Sequence, residues 1–133
     1  MTRASAGRLT MRAEDLREPV LERVVAALAA RVDLPLDRLS DAQLASSVLI
    51  RGANRHAVDG VVRVELDVEE GSVGLSVGPL PAGEGSQMVS EDVAGVGPVL
   101  ERLVDAWSVE PIDDRTETLR LSIGAGAGNA YRG

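Results

Sequence analysis

Two arginines one helical turn apart, Arg51 and Arg55, lie in the stretch "VLIRGANRHA" (48–57), together with the amide of Asn54 and the only histidine, His56. Guanidinium groups at that spacing share a helix face and can grip a phosphate or a partner's carboxylate, although such a pair also makes an ordinary solvated face. His56 has no second catalytic partner beside it, and a histidine at a helix C-terminus more often serves the last-turn carbonyls. Further along, Gly95-Val96-Gly97 stands directly before Pro98. A Gly-x-Gly turn that opens a helix can cradle an anion with backbone N–H groups. A tight turn into a helix explains the same residues, and Pro98 removes one donor. Ser46 and Ser47 have no His or Asp placed to activate them as nucleophiles.

The composition limits what these groups can do. The chain has 133 residues, enough for one domain with a core of its own. It has no cysteine, which removes thiol chemistry, disulfides and Cys-ligated metal, and a single His rules out a His-rich zinc site. All 14 basic residues are Arg, so lysine is absent from every catalytic role. That usage, with abundant Ala, Val and Gly, points to the coding bias of a high-GC bacterium. A net charge of −7 argues against a nucleic-acid backbone as partner. No apolar run is long enough to span a bilayer, and "MTRASAGRLT" lacks the apolar stretch of a secretory signal, so a cytoplasmic protein is expected.

The elements that must position these residues follow from periodicity. "RLTMRA" (8–13) alternates like a half-buried strand. "EDLREPVLERVVAALAARV" changes to helical period, with Leu16, Val20, Leu21, Val24, Val25, Leu28 and Val32 on one stripe and Pro19 in the first turn. Ser40 and Gln43 form a capping-box pattern for a second helix that carries Leu44, Val48 and Leu49 inward and runs to about His56. "VDG" (58–60) reads as a turn. Val62, Val64, Leu66 and Val68 alternate with Arg63, Glu65, Asp67 and Glu69, and Val73, Leu75 and Val77 resume the alternation after Glu70-Gly71. That is a β-hairpin with a solvated acidic face.

Residues 78–97 show no period and read as a long loop. Pro98 opens a helix with Val99, Leu100, Leu103, Val104 and Trp107 on one stripe, and Trp107 is expected in the core or at an interface. "TETLRLSI" (116–123) is a last strand, and 124–133 a flexible Gly/Ala-rich tail. The order β-α-α-β-β-loop-α-β predicts an α+β two-layer sandwich, with helices on one face of a mixed, mostly antiparallel sheet.

That order, the segment "RLTMRAEDLREPVLERVVAALAARVDLPLDRLSDAQLA" and the "RHA" ending resemble the GHKL (Bergerat-fold) ATP-binding domains over residues 8–123. The closest resemblance is to the bacterial anti-sigma-factor serine kinases. In that family one helix presents a Glu base and, four residues later, a Mg²⁺-binding Asn. Alignment on Arg55-His56-Ala57 puts Val48 at the Glu position and Gly52 at the Asn position, and neither residue can do that work. Asn54 lies two residues beyond Gly52, rotated by about 200° around the helix. Moving the register to bring Asn54 in would put Ile50 where the Glu belongs.

The family's Asp-x-Gly-x-Gly, which reads adenine, falls on Gly78, Leu80 and Ala82. Its phosphate-cradling Gly-x-Gly falls on Gly95 and Gly97. The resemblance thus implies a pseudoenzyme with a degenerate nucleotide site, no ATP or Mg²⁺ cofactor, and residual anion or partner contacts at Arg51, Asn54 and Arg55. Its implied role is transcription regulation by protein–protein binding, with a sigma factor or an anti-sigma antagonist as partner and a homodimer as a possible assembly. The alternatives are an active serine kinase drawing on Glu84, Glu91 and Asp92 from the 78–97 loop, or a structural or small-ligand protein sharing only the fold.

Overall fold

A period of two places Val64, Leu66 and Val68 on one side of a strand and Val73, Leu75 and Val77 on the matching side of the next. In the computed structural model, which describes residues 7–12, 18–56, 62–69 and 71–124, all six of these side chains are buried. β2 (Arg63–Glu69) and β3 (Ser72–Pro81) pair antiparallel with Leu66 opposite Leu75. Gly71 in the turn between them has φ 79, a left-handed conformation that glycine adopts without steric cost. β1 (Gly7–Arg12) adds to the far side of β2, β5 (Thr116–Gly124) adds to β3, and β4 (Ala106–Pro111) closes the row beside β5. The five-stranded sheet runs β1-β2-β3-β5-β4 and every pair in it is antiparallel.

One face of that sheet carries Leu66, Leu75, Leu119, Leu121 and Ile123 into a core shared with the helices. α1 (Glu18–Ala30) and α2 (Leu36–His56) pack on each other and on the central strands. α3 (Glu84–Ser90) and α4 (Val99–Leu103) complete the layer. The chain is therefore an α+β two-layer sandwich. Among the described residues the buried apolar side chains are aliphatic apart from Met88, in keeping with a chain that has no Phe. Among the described residues no helix is long and apolar enough to cross a membrane. The tail from 125 onward and the turn at 58–60 lie outside the described residues, while Gly124 is the last residue of β5.

Several elements differ from the sequence reading. The second helix starts at Leu36 instead of Ser40, and Gln43 donates its side-chain amide to the Glu22 carbonyl of α1 at 3.0 Å instead of closing a capping box. Leu44 is exposed and Val48 only half-buried, because the inward stripe of α2 runs through Ala42, Ala45, Leu49, Ile50 and Ala53. Small residues on that stripe let α1 and the sheet approach closely. Val20 is also largely exposed, while Val25, Leu28 and Ala29 carry the buried face of α1.

The long loop is not a loop throughout. β3 continues to Pro81, α3 follows, and Asp92 forms an isolated bridge with Pro98. The helix after Pro98 stops at Leu103, and Trp107 stands on β4. Asp105 turns the chain there: its carboxylate accepts the Gly124 N–H at 2.7 Å and pairs with Arg38, which also holds Asp41 at 2.7 Å and the Gly124 carbonyl at 3.1 Å. Apart from Asp41, these partners lie far apart in sequence, so local periodicity carries no sign of them.

The acidic side of the hairpin also holds an exception. Asp67 is buried, with Arg120 of β5 lying 3.6 Å away across β3. Gly74 makes room for that pair, since a Cβ there would collide with the Asp67 carboxylate. Arg120 also donates to the Ser76 hydroxyl at 3.0 Å.

Candidate functional site

Val48, Arg51 and Arg55 fall at i, i+3 and i+7, so α2 presents them along one face of its C-terminal half. That face and the segment Glu91–Ala94 between α3 and α4 enclose a cleft of about 300 Å³. Its charge is partly settled within the chain: Arg55 donates to the Glu91 carboxylate at 3.0 Å, with both side chains more than a third exposed. A pair so solvated stabilises the fold by about 1 kcal/mol or less. Arg51 is exposed and also has a partner. Asn54 is exposed and does not line the cleft, as its rotation around the helix requires. Of the three acids that a remodelled kinase would draw on, Glu91 and Asp92 line the cleft and Glu84 does not.

The glycine loop beside the cleft has an internal ligand. One Asp92 carboxylate oxygen accepts the Gly95 N–H at 2.8 Å, and the other accepts the Gly97 N–H at 2.6 Å. Gly95 and Gly97 have φ 81 and 101, the left-handed geometry that turns both amides inward. The loop is closed further by Val93 N–H to the Gly97 carbonyl at 3.0 Å and by Arg102 donating to the Val96 carbonyl at 3.1 Å. A carboxylate of the chain thus takes both inward-facing amides of the loop.

Gly52 has a packing role. Its Cα faces Met88 of α3, whose Cε would lie 2.7 Å from any Cβ added there. The thioether fills the space that a side chain at position 52 would enter. The remaining motif positions do not converge on the cleft. Leu80 is fully buried in the core and Ala82 is exposed in the turn before α3. Gly78 lies near Arg63, Glu65 and Thr118, where a Cβ would come within 2.9 Å of the Thr118 hydroxyl. The α2 positions and the glycine loop are therefore neighbours, and the 78–82 positions are elsewhere. His56 ends α2, but its side chain lies outside the described residues.

Sequence reasoning missed Glu117. This buried side chain on β5 accepts the Gly83 N–H at 2.9 Å and the Gly85 N–H at 2.8 Å, and so caps α3 from across the sheet. A signal was present: the alternation that sends Leu119, Leu121 and Ile123 inward also sends Glu117 inward. A carboxylate on the apolar face needs donors, and here they are the free amides at the start of α3. Among the described residues no cluster of three or more His, Cys, Asp or Glu side chains is placed to hold a metal ion.

No family model and no curated protein matches the chain.

Proposed function

We propose that the chain is a non-catalytic, protein-binding regulator, a relative of the anti-sigma-factor serine kinases that has lost nucleotide chemistry and works in the cytoplasm on a sigma factor or its antagonist. The observation that carries the loss of nucleotide chemistry is Asp92 on the Gly95 and Gly97 amides. A nucleotide phosphate would have to displace a carboxylate already tethered to the same loop, bringing a second negative charge to it. Met88 against Gly52 supports the same reading, since it fills the space a side chain at position 52 would enter, where the resembled family carries its metal-binding Asn. The class of partner comes from the sequence resemblance alone. The cleft offers chemistry for such a partner, with an apolar floor at Val48 and Val93 and charges of both signs at Arg51, Arg55 and Glu91.

The test is direct binding between the purified chain and the sigma factors and antagonist proteins encoded in the same genome. Micromolar or tighter binding to one of them, weakened at least tenfold by Arg55→Glu, is the expected result; tenfold corresponds to about 1.4 kcal/mol. Absence of binding to every such protein would remove this reading and leave a protein that shares only the fold. The kinase alternative makes a different demand, because Glu84, Glu91 and Asp92 would then be required for phosphorylation of a partner. Phosphate transfer lost in the triple alanine variant would put that alternative first.

A further inference from the structure

β4 is an edge strand, exposed along its length except at half-buried Val109. Its pairing with β5 fixes which backbone groups face outward. Ile112 N–H donates to the Thr116 carbonyl at 2.9 Å, in register with Ala106↔Ser122, Ser108↔Arg120 and Glu110↔Thr118. Bonded and non-bonded pairs alternate in an antiparallel ladder. Residues 106, 108 and 110 therefore bond to β5, while Trp107, Val109 and Pro111 direct their backbone groups away from the sheet. Only Trp107 and Val109 offer both a donor and an acceptor at this edge, because proline has no N–H.

We propose that two copies of the chain pair through β4, antiparallel about a two-fold axis at Ser108, and so join their two five-stranded sheets into one. In this register Trp107 of each copy exchanges two hydrogen bonds with Val109 of the other, so every free donor and acceptor of both residues is used. Trp107 and Val109 lie opposite Leu121 and Leu119, on the helix-bearing face, so each tryptophan comes to rest against a valine of the other copy. Aromatic and β-branched side chains favour each other in that arrangement. Trp107, 42% exposed in the single chain, gains cover.

Charge selects the same register. An axis at Ser108 sets Glu110 opposite Ala106 and Asp105 opposite Pro111. An axis at Val109 would set Asp105 opposite Asp113 and put Pro111, which lacks a donor, opposite Trp107. An axis at Trp107 would need the Asp105 N–H, which already donates to the Ser122 carbonyl at 2.9 Å. The arrangement is isologous and closes at two copies, so no filament follows from it. It is independent of the cleft beside Arg51 and Arg55, whose lining comes from α2 and the α3–α4 segment.

The test combines sedimentation of the full chain, from micromolar to millimolar concentration, with charge variants at the axis. Ser108 is exposed, with its side chain on the face away from the helices, so Ser108→Glu and Ser108→Lys leave the core intact. The wild type should reach twice the chain mass. Each variant alone should stay single, because like charges meet at the axis, and an equimolar mixture of the two should recover the dimer. Hydrogen exchange gives a second readout that requires no substitution. The Trp107 and Val109 amides should slow as concentration rises, while Ser108 and Glu110 are slow throughout. A chain that stays single at millimolar concentration would overturn the proposal. So would a dimer in which the Trp107 and Val109 amides exchange as in the single chain, or one that both charge variants retain.

Discussion

Two carboxylates in this molecule do the same chemistry in different places. Glu117 and Asp92 each accept two backbone N–H groups that involve glycines, at 2.6 to 2.9 Å. Glu117 is buried and reaches residues 32 and 34 positions earlier in the chain. Asp92 is exposed and reaches residues three and five positions ahead. The buried, long-range pair fastens α3 to the sheet and so belongs to the fold. The exposed, local pair shapes a loop at the mouth of a cleft and so bears on what the cleft can hold.

The largest expected effect is therefore at Glu117. Glu117→Ala strands the buried Gly85 N–H and should lower unfolding free energy by about 2–3 kcal/mol in a denaturant titration, with Glu117→Gln losing less because one acceptor remains. An unchanged midpoint would mean that water replaces the carboxylate and that the comparison fails. Next comes Gly52→Ala, which forces Met88 to move. The overpacking is set against the roughly 1 kcal/mol that alanine gains over glycine within a helix, so a net loss of about 0–2 kcal/mol is expected. It should be smaller when Gly52→Ala is made in a Met88→Ala background, so that the two changes are non-additive.

Asp92→Ala should change global stability by only about 0.5 kcal/mol, as for most surface positions. Its distinctive readout is faster hydrogen exchange at the Gly95 and Gly97 amides. A loss as large as that of Glu117→Ala would erase the distinction between the two carboxylates.

Asp113 gives the smallest effect and a pH signature. Its pKa lies below the ordinary value, chiefly because the Arg115 N–H donates to it, with the Thr116 hydroxyl and N–H adding to the shift. A depressed folded-state pKa means that the contribution is present above the unfolded value, near 4, and is lost as pH falls through the folded one. The stability difference between the wild type and Asp113→Asn should thus shrink under acid conditions and be flat across neutral pH.

The legible part of this fold is the part that neighbours in sequence determine. The hairpin of β2 and β3 and the strand β5 announce themselves by alternation, and α1 by its stripe with Pro19 in the first turn. Segment 82–111 was obscure for a physical reason. α3 is seven residues long, with only Met88 and Val89 as large buried side chains, too little for a helical period to emerge, and its cap comes from Glu117 on another strand. β4 was hidden because Leu100, Leu103, Val104 and Trp107 continue a helical stripe, while Asp105, Arg38 and Gly124 end the helix through contacts at long range. In the candidate site the shared face of Arg51 and Arg55 could be read from spacing. The filling of Gly52 by Met88 and the capture of the glycine amides by Asp92 could not, since both depend on how α3 and its loop fold back on α2.

The proposal that the chain's own groups fill the positions where the resembled family binds a nucleotide is tested most directly by calorimetric titration with ATP and ADP, with and without Mg²⁺. No heat of binding and no shift in melting temperature are expected at millimolar nucleotide. Magnesium-dependent binding in the micromolar range would contradict it and would show that Asp92 yields its two amides to phosphate.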